Sequence, residues 1–260
     1  DFLPFYAHSV LRTYPESSVL LFSRHPLSRR VSESLEEVGR FHKAEIRLEE
    51  NYTFGLTRHS FDALPAQAMR AMRWLFYDDS FADFDNLYIG DTDMLICDEP
   101  LELEDAHLAH SKLIGAPYSN YLRTQHYSTE DAIRRTLGHA RRRDWRATRA
   151  SFSHLKPLAA KRLTGLHFVE TQPYFEAVGP HFAAFRRGLL ENAWYALNNE
   201  VTLHELVLAS GLNLPLVAPQ GPDLDPRHCD LPAFRPHHGI HLVKIVAKKM
   251  KKNCCHLFVT

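Results

Sequence analysis

The chain alternates short apolar runs with longer stretches in which apolar residues recur every three or four positions. Phe5–Tyr14 reads as a helix closed by Pro15, and Ser18–Phe22 as a short, almost wholly apolar strand. Leu27–His42 has the pattern of an amphipathic helix, with Ser32 and Ser34 as candidate caps. Ala44–Leu48 reads as a second strand, and Pro65–Phe76 as a helix with proline in its first turn. Asp83–Asp85 read as a turn before a buried strand at Leu87–Ile89, and Leu113–Tyr118 as a further strand. Ser128 and Asp131 resemble a capping box that opens a helix running to about Phe152. Leu163–Val169 reads as a strand, and Thr171 and Pro173 begin a short helix that ends at Gly179-Pro180. Helices follow at Phe182–Leu197 and Val201–Ser210, the second stopped by Gly211. Residues 212–236 are Pro-rich and read as an ordered loop. Helices interleaved with short strands predict an α/β fold.

One stretch carries more chemistry than the rest. The strand at Leu87–Ile89 runs into Gly90, which is expected to let the backbone turn tightly. Asp91-Thr92-Asp93 follows, then a second apolar run, Met94-Leu95-Ile96. The two carboxylates would lie at the carboxyl end of a strand, where α/β sheets place ligands. Their hard oxygens suit Mg²⁺ or Mn²⁺, which can hold a diphosphate. A surface turn is the plain alternative. A leaving diphosphate also calls for a third metal ligand and a lysine. Both types occur near the C-terminus, in Pro236-His237-His238-Gly239-Ile240-His241-Leu242-Val243-Lys244. A neutral imidazole favours Mn²⁺ over Mg²⁺. A zinc site built from His237, His238 and His241 is one alternative, and surface histidines in a chain with 17 of them is another.

Composition narrows the field modestly. The 260 residues suffice for one large core, and 45% hydrophobic with 24% charged residues is ordinary for a globular protein. Lys plus Arg equals Asp plus Glu, 31 each, so bulk charge does not point to nucleic acid. Cys97, Cys229, Cys254 and Cys255 do not form a disulfide-framework pattern, and a reducing, cytoplasmic setting is expected. No apolar run approaches the ~18 residues of a membrane span. Arginines crowd residues 134–149 and lysines the tail at 247–260, which marks both as solvated faces or as contacts with an anionic acceptor or membrane surface. The start, Asp1-Phe2-Leu3-Pro4, is neither a signal peptide nor a usual initiation site, so the chain is expected to begin inside a longer one.

Four places together resemble the GT-A-fold glycosyltransferases, particularly the glycogenin-like and lipopolysaccharide-galactosyltransferase-like group. The first is the helix with Arg70 and Arg73 followed by Phe84 to Ile96, similar to that family's helix, strand and metal-binding Asp-x-Asp. The second is Thr164-Gly165-Leu166-His167-Phe168-Val169, similar to its acceptor-facing strand. The third is Asn199-Glu200 with Leu203, which resembles an Asp-Gln-x-x-Leu segment beside the transferred sugar. The last is His238-x-x-His241-x-x-Lys244, which resembles a His-x-x-Gly-x-x-Lys loop. The resemblance implies a GT-A-like, Rossmann-like mixed sheet flanked by helices, one catalytic domain over residues 1–246 and a basic tail over 247–260. It implies that the family's first strand precedes residue 1. Asp91 and Asp93, with His238 or His241, would hold Mn²⁺, with Mg²⁺ the alternative. Lys244, Arg70, Arg73 and Asp91 would face a nucleotide-sugar donor, UDP-linked by expectation. Glu200 stands where a retaining relative has Gln, and His241 where the loop has Gly, so the stereochemical outcome stays open.

The remaining candidates are Glu170, a base at a strand end, and Tyr118, Ser119 and Asn120, which could meet an acceptor. His167 is either a core histidine or part of that face. The expected activity is metal-dependent sugar transfer to a glycan or lipid-linked acceptor, with Glu200 or Glu170 positioning or deprotonating the acceptor hydroxyl. The basic segments leave peripheral membrane contact open beside a plain solvated face, and no nucleic-acid partner is expected. Two other classes compete: a metal-assisted phosphate enzyme such as a nucleotidyltransferase or phosphohydrolase, and a non-catalytic glycan-binding relative.

Overall fold

The computed structural model describes residues 2–64, 66–98, 102–127, 158–191, 199–215 and 239–241. In chain order the elements are α1 (Leu3–Thr13), β1 (Val19–Phe22), α2 (Arg29–His42), β2 (Ile46–Glu49), α3 (Arg58–Asp62) and α4 (Ala66–Ala71). A 3-10 turn at Met72–Trp74 prolongs α4, and another spans Asp79–Asp83. Next come β3 (Asn86–Ile89), β4 (Met94–Ile96), α5 (Leu103–Ile114), β5 (Tyr118–Ser119), β6 (Leu122–Tyr127), β7 (Leu158–Leu163) and β8 (His167–Glu170). The last are α6 (Thr171–Val178), α7 (Phe182–Glu191), α8 (Asn199–Ala209) and β9 (Gly239–His241). The fold is mixed α/β, with helices and small sheets. Among the described residues no helix is long and apolar enough to cross a membrane.

The chain divides into two compact units. The first takes residues 1–52, 91–103 and 237–260. Its strands β1 and β2 pair in parallel, Val19 opposite Ile46 through Phe22 opposite Glu49. Parallel neighbours need a crossover, which α2 supplies. The core is built from Ala7 and Leu11 of α1, Val31 and Leu35 of α2, and Val19 and Leu21 of β1, all buried. Each helical pair is spaced i, i+4 and each strand pair i, i+2, so one periodicity per element faces inward. β4 pairs antiparallel with β9, Met94 opposite His241 and Ile96 opposite Gly239. The Ile96 N–H donates to the buried Ser9 Oγ of α1 at 3.0 Å, which satisfies a backbone donor at the strand's end.

The second unit takes residues 53–90 and 104–236. β8 lies between β3 and β5, antiparallel to both. β6 and β7 form a separate antiparallel pair against which α8 packs. Buried aromatic rings dominate the interior: Trp74, Tyr118, Phe168 and Tyr174 are all nearly inaccessible. Asn120 is the polar counterpart. Its Oδ1 accepts from the backbone N–H groups of Tyr121 (2.6 Å) and Thr164 (2.8 Å). Its Nδ2 donates to the Thr164 carbonyl at 3.1 Å. The Thr164 hydroxyl divides between Asn120 Oδ1 and the Leu166 carbonyl.

Several sequence expectations are corrected. Ser32 and Ser34 do not cap α2; they lie inside it and their hydroxyls bond back to the carbonyls of Ser28 and Arg30. The N-cap position is Ser28, in extended backbone, and Lys43 closes the helix in the left-handed region. Leu113–Tyr118 is not a strand: Leu113 and Ile114 end α5, Gly115 turns with φ +63°, and only Tyr118–Ser119 pair as β5. α5 escapes a hydropathy reading because its buried face is Ala106, His107, His110 and Ser111. Leu163–Val169 is split between β7 and β8 at the Thr164–Leu166 bend. The helix expected over Pro65–Phe76 covers Ala66–Ala71 and then tightens to 3-10, and a 3-10 turn at Asp79–Asp83 precedes β3. The expected helix from Ser128 to Phe152, residues 216–236 of the Pro-rich loop, and the tail at 247–260 lie outside the described residues.

Replacing Asn120 by Leu keeps volume but strands two buried N–H donors, each costing about 1–3 kcal/mol. We expect Asn120→Leu to lose roughly 2–5 kcal/mol in urea unfolding; a loss under about 1 kcal/mol would show that the backbone finds other partners.

Candidate functional site

The acidic turn belongs to the first unit. Asp91 and Asp93 are half-buried, Thr92 between them is exposed, and β4 begins at once with fully buried Met94. One end of the turn is therefore anchored in a packed strand. The β4–β9 register puts His241 opposite Met94, one pairing position from Asp93. The backbone thus carries His241 from the far C-terminal region to the end of the acidic turn. His237, His238 and Lys244 lie outside the described residues. Tyr6 of α1 is half-buried, and its hydroxyl is pushed up to about 12 by desolvation and then by the charge of Asp91. That coupling places the Tyr6 phenol within electrostatic reach of the Asp91 carboxylate. Two carboxylates two residues apart, on a turn fixed at its far end, are hard oxygen donors of the type that divalent cations take.

Gly90 ends the second unit's β3 side. Its backbone does not enter the left-handed region, so the tight-turn role expected for it is not the one it plays. A Cβ there would meet Leu166 Cδ2 at 3.2 Å, so a larger residue would make that leucine give by a few tenths of an ångström. Arg73 donates to the Gly90 carbonyl through a long 3.4 Å bond, and its guanidinium lies 4.3 Å from the Trp74 ring centre. Arg70 is exposed on α4.

The two candidate glutamates have different surroundings. Glu200, in the first turn of α8, is ion-paired and hydrogen-bonded with Arg162 of β7, both mostly buried. Glu170 is half-buried at the end of β8, where its N–H donates to the Pro117 carbonyl at 3.0 Å. It lines a shallow cleft with Lys112, Pro117 and Pro173.

Two buried polar clusters have no counterpart in the sequence reading as clusters. In the first, Asn120 Nδ2 lies 2.9 Å from His167 Nδ1. Because Asn120 Oδ1 already accepts two backbone N–H groups, Nδ2 is the donor and His167 Nδ1 the acceptor. The neutral ring therefore carries its proton on Nε2. Burial, with a smaller contribution from Arg73, pushes His167 down to about 3. Trp74, Tyr118 and Tyr174 pack around it, with ring centres 5.1–5.9 Å away. His167 Nε2 and Trp74 Nε1 have no hydrogen-bond acceptor among the described residues. In the second cluster, Ser119 Oγ lies 2.7 Å from His107 Nδ1 and 2.9 Å from His110 Nδ1. One hydroxyl has one proton, so it donates to one ring and accepts from the other, and the two rings hold different tautomers. Burial pushes His110 down to about 4. Tyr118, Ser119 and Asn120 are thus all buried and committed inside the unit: the Tyr118 hydroxyl donates to the Asn213 carbonyl at 2.7 Å. The signal available for the second cluster was the recurrence of His107, His110 and Ser111 at helical spacing.

No protein-family model matches the chain, and no curated protein or solved structure matches it either.

His167 and His110 have folded values below that of an unfolded histidine, so the unfolded chain binds more protons between about pH 6.5 and their folded values. Their contribution to stability is complete above about pH 6.5 and is lost as pH falls toward about 4 and about 3. Each should add up to ~1.4 kcal/mol per pH unit to the slope of unfolding free energy. Urea unfolding measured from about pH 7 to about pH 5 checks this, with His167→Phe expected to flatten the slope by one proton whatever its stability at neutral pH. An unchanged slope would mean that His167 is not held neutral.

Proposed function

We propose that the protein is a metal-dependent glycosyltransferase with a GT-A-like arrangement, moving a sugar from a nucleotide-sugar donor, UDP-linked, to a glycan or lipid-linked acceptor. The observation that carries the reading is the pairing of β4 with β9, which brings His241 to within one position of Asp93 at the Asp91-Thr92-Asp93 turn. A metal–diphosphate site of this type would join its two carboxylates to a third ligand from elsewhere in the chain, and the register brings the backbone of one candidate to the end of the turn. Asp91 and Asp93, with His241 or His238, would hold Mn²⁺, or Mg²⁺ in its place. When bound, the ion supplies charge neutralisation for the leaving diphosphate.

The remaining roles belong to the protein's own groups. By the family resemblance, Lys244, Arg70 and Arg73 would supply positive charge for the donor phosphates. Glu200 is committed to the Arg162 guanidinium, which leaves it fewer lone pairs for a hydroxyl proton and suits it to orienting a sugar hydroxyl. Glu170, half-exposed at its strand end, is the better placed of the two to accept a proton.

Isothermal titration of UDP with and without Mn²⁺ tests the reading. Binding should require Mn²⁺ and should fall in Asp93→Asn by more than the roughly 10–100-fold that loss of an outer-shell partner costs. A screen of UDP-sugars with Mn²⁺ should then show hydrolysis or transfer that Asp93→Asn abolishes. Absent or metal-independent UDP binding overturns the proposal, and release of orthophosphate from simple phosphoesters would move the protein to a different enzyme class.

A further inference from the structure

His8 of α1 and His42 of α2 meet edge to edge on the first unit, away from the acidic turn in sequence. His42 Nε2 lies 2.9 Å from His8 Nδ1, with ring centres 4.9 Å apart and planes inclined by 54°. Both residues are half-buried. Phe41 stands beside both, 4.9 Å from His42 and 6.1 Å from His8, and is 73% exposed. Both helices are fixed by the shared core of Ala7, Leu11, Val31 and Leu35, so the two imidazoles are held on a rigid base. Two neutral imidazoles can share that contact only if one nitrogen carries the proton and the other accepts it. Desolvation, and then the neighbouring His8, push His42 below its ordinary value, which favours the neutral form of that ring.

The same separation suits a metal. At a metal–nitrogen distance of about 2.0–2.1 Å, nitrogens subtending about 90–109° at the ion lie roughly 2.9–3.4 Å apart. The observed 2.9 Å sits at the tetragonal end of that range, the geometry of Cu²⁺ and Ni²⁺. We propose that His8 and His42 form a two-histidine clip that takes one borderline divalent cation, Cu²⁺, Ni²⁺ or Zn²⁺, between α1 and α2, with water completing its coordination. The donor ring shifts its proton to its outer nitrogen through solvent, so both rings stay neutral and both inner nitrogens present lone pairs. This site has two nitrogen donors and no carboxylate, so it binds Mg²⁺, which prefers oxygen ligands, poorly, and that separates it from the acidic turn.

The experiment titrates the full chain with Ni²⁺ by calorimetry and follows Cu²⁺ by electron paramagnetic resonance. One Ni²⁺ per chain is expected, with a Cu²⁺ spectrum showing coupling to two nitrogens and a raised thermal midpoint. His8→Asn and His42→Gln, made separately, should each weaken Ni²⁺ binding by about tenfold or more and reduce the Cu²⁺ signal to one nitrogen. Asp93→Asn should leave Ni²⁺ binding unchanged, and Mg²⁺ should not compete. Full Ni²⁺ affinity in the His8→Asn, His42→Gln double variant would overturn the proposal and assign the metal to other histidines. Loss of Ni²⁺ binding in Asp93→Asn with both histidines intact would also overturn it.

Discussion

The second unit turns on a single amide. Where the chain leaves β5 and where it bends between β7 and β8, two backbone N–H groups are buried with no strand to pair them. Asn120 Oδ1 takes both, and Nδ2 returns a bond to the Thr164 carbonyl. A buried donor left unmet costs more than an average hydrogen bond gains, so this one side chain decides whether the bend can be buried at all. It also sets the protonation of His167, because an amide whose oxygen is already used can offer only its N–H. His167 pairs with Ile89 in the β3–β8 ladder, one residue before Gly90. Local backbone accounting thus reaches from a loop asparagine to the strand that leads into the acidic turn.

The parts of the fold that were legible in the sequence are those where apolar residues do the packing. α1, β1 and α2 follow from Ala7, Leu11, Val19, Leu21, Val31 and Leu35 at helix or strand spacing, and the structure places them in one core. Leu87, Tyr88 and Ile89 do form a strand, but all three are only half-buried, not the buried run expected, and the apolar run Met94-Leu95-Ile96 forms β4. The misreadings fall where polar residues are buried. α5 turns His107, His110 and Ser111 inward, a pattern that looks amphipathic the wrong way round, and its apolar Leu113 faces solvent. The run from Leu163 to Val169 looked continuous because the Thr164–Leu166 bend is stabilised by Asn120, more than forty residues earlier. Hydropathy cannot see a hydrogen bond to a distant side chain.

The candidate site divides along the same line. Asp91 and Asp93 were visible because carboxylates between two apolar runs stand out. The approach of His241 is a matter of strand pairing and is settled by register, which sequence spacing alone does not fix. The Arg162–Glu200 pair was invisible in advance, since nothing in the local sequence of α8 announces a partner on β7. Tyr118, Ser119 and Asn120, chosen as acceptor contacts for following an apolar run, prove to be interior residues. Polar character at a strand end is common to ligand contacts and to buried anchors, and only the burial separates them.

The β4–β9 pairing has a consequence for the order of assembly. During synthesis, the segment from α1 to β4 leaves the ribosome well before residues 239–241, which follow more than half the chain later. Until then β4 has the Ser9 hydroxyl at its end but not the strand that pairs with it. An exposed strand edge in a nascent chain is open to mispairing, and closing so long a loop is slow compared with local helix formation. The pairing of β4 with β9 therefore has to wait for that distant sequence. In a cell, the vulnerable interval of this protein would be set by the pace of translation across that intervening stretch.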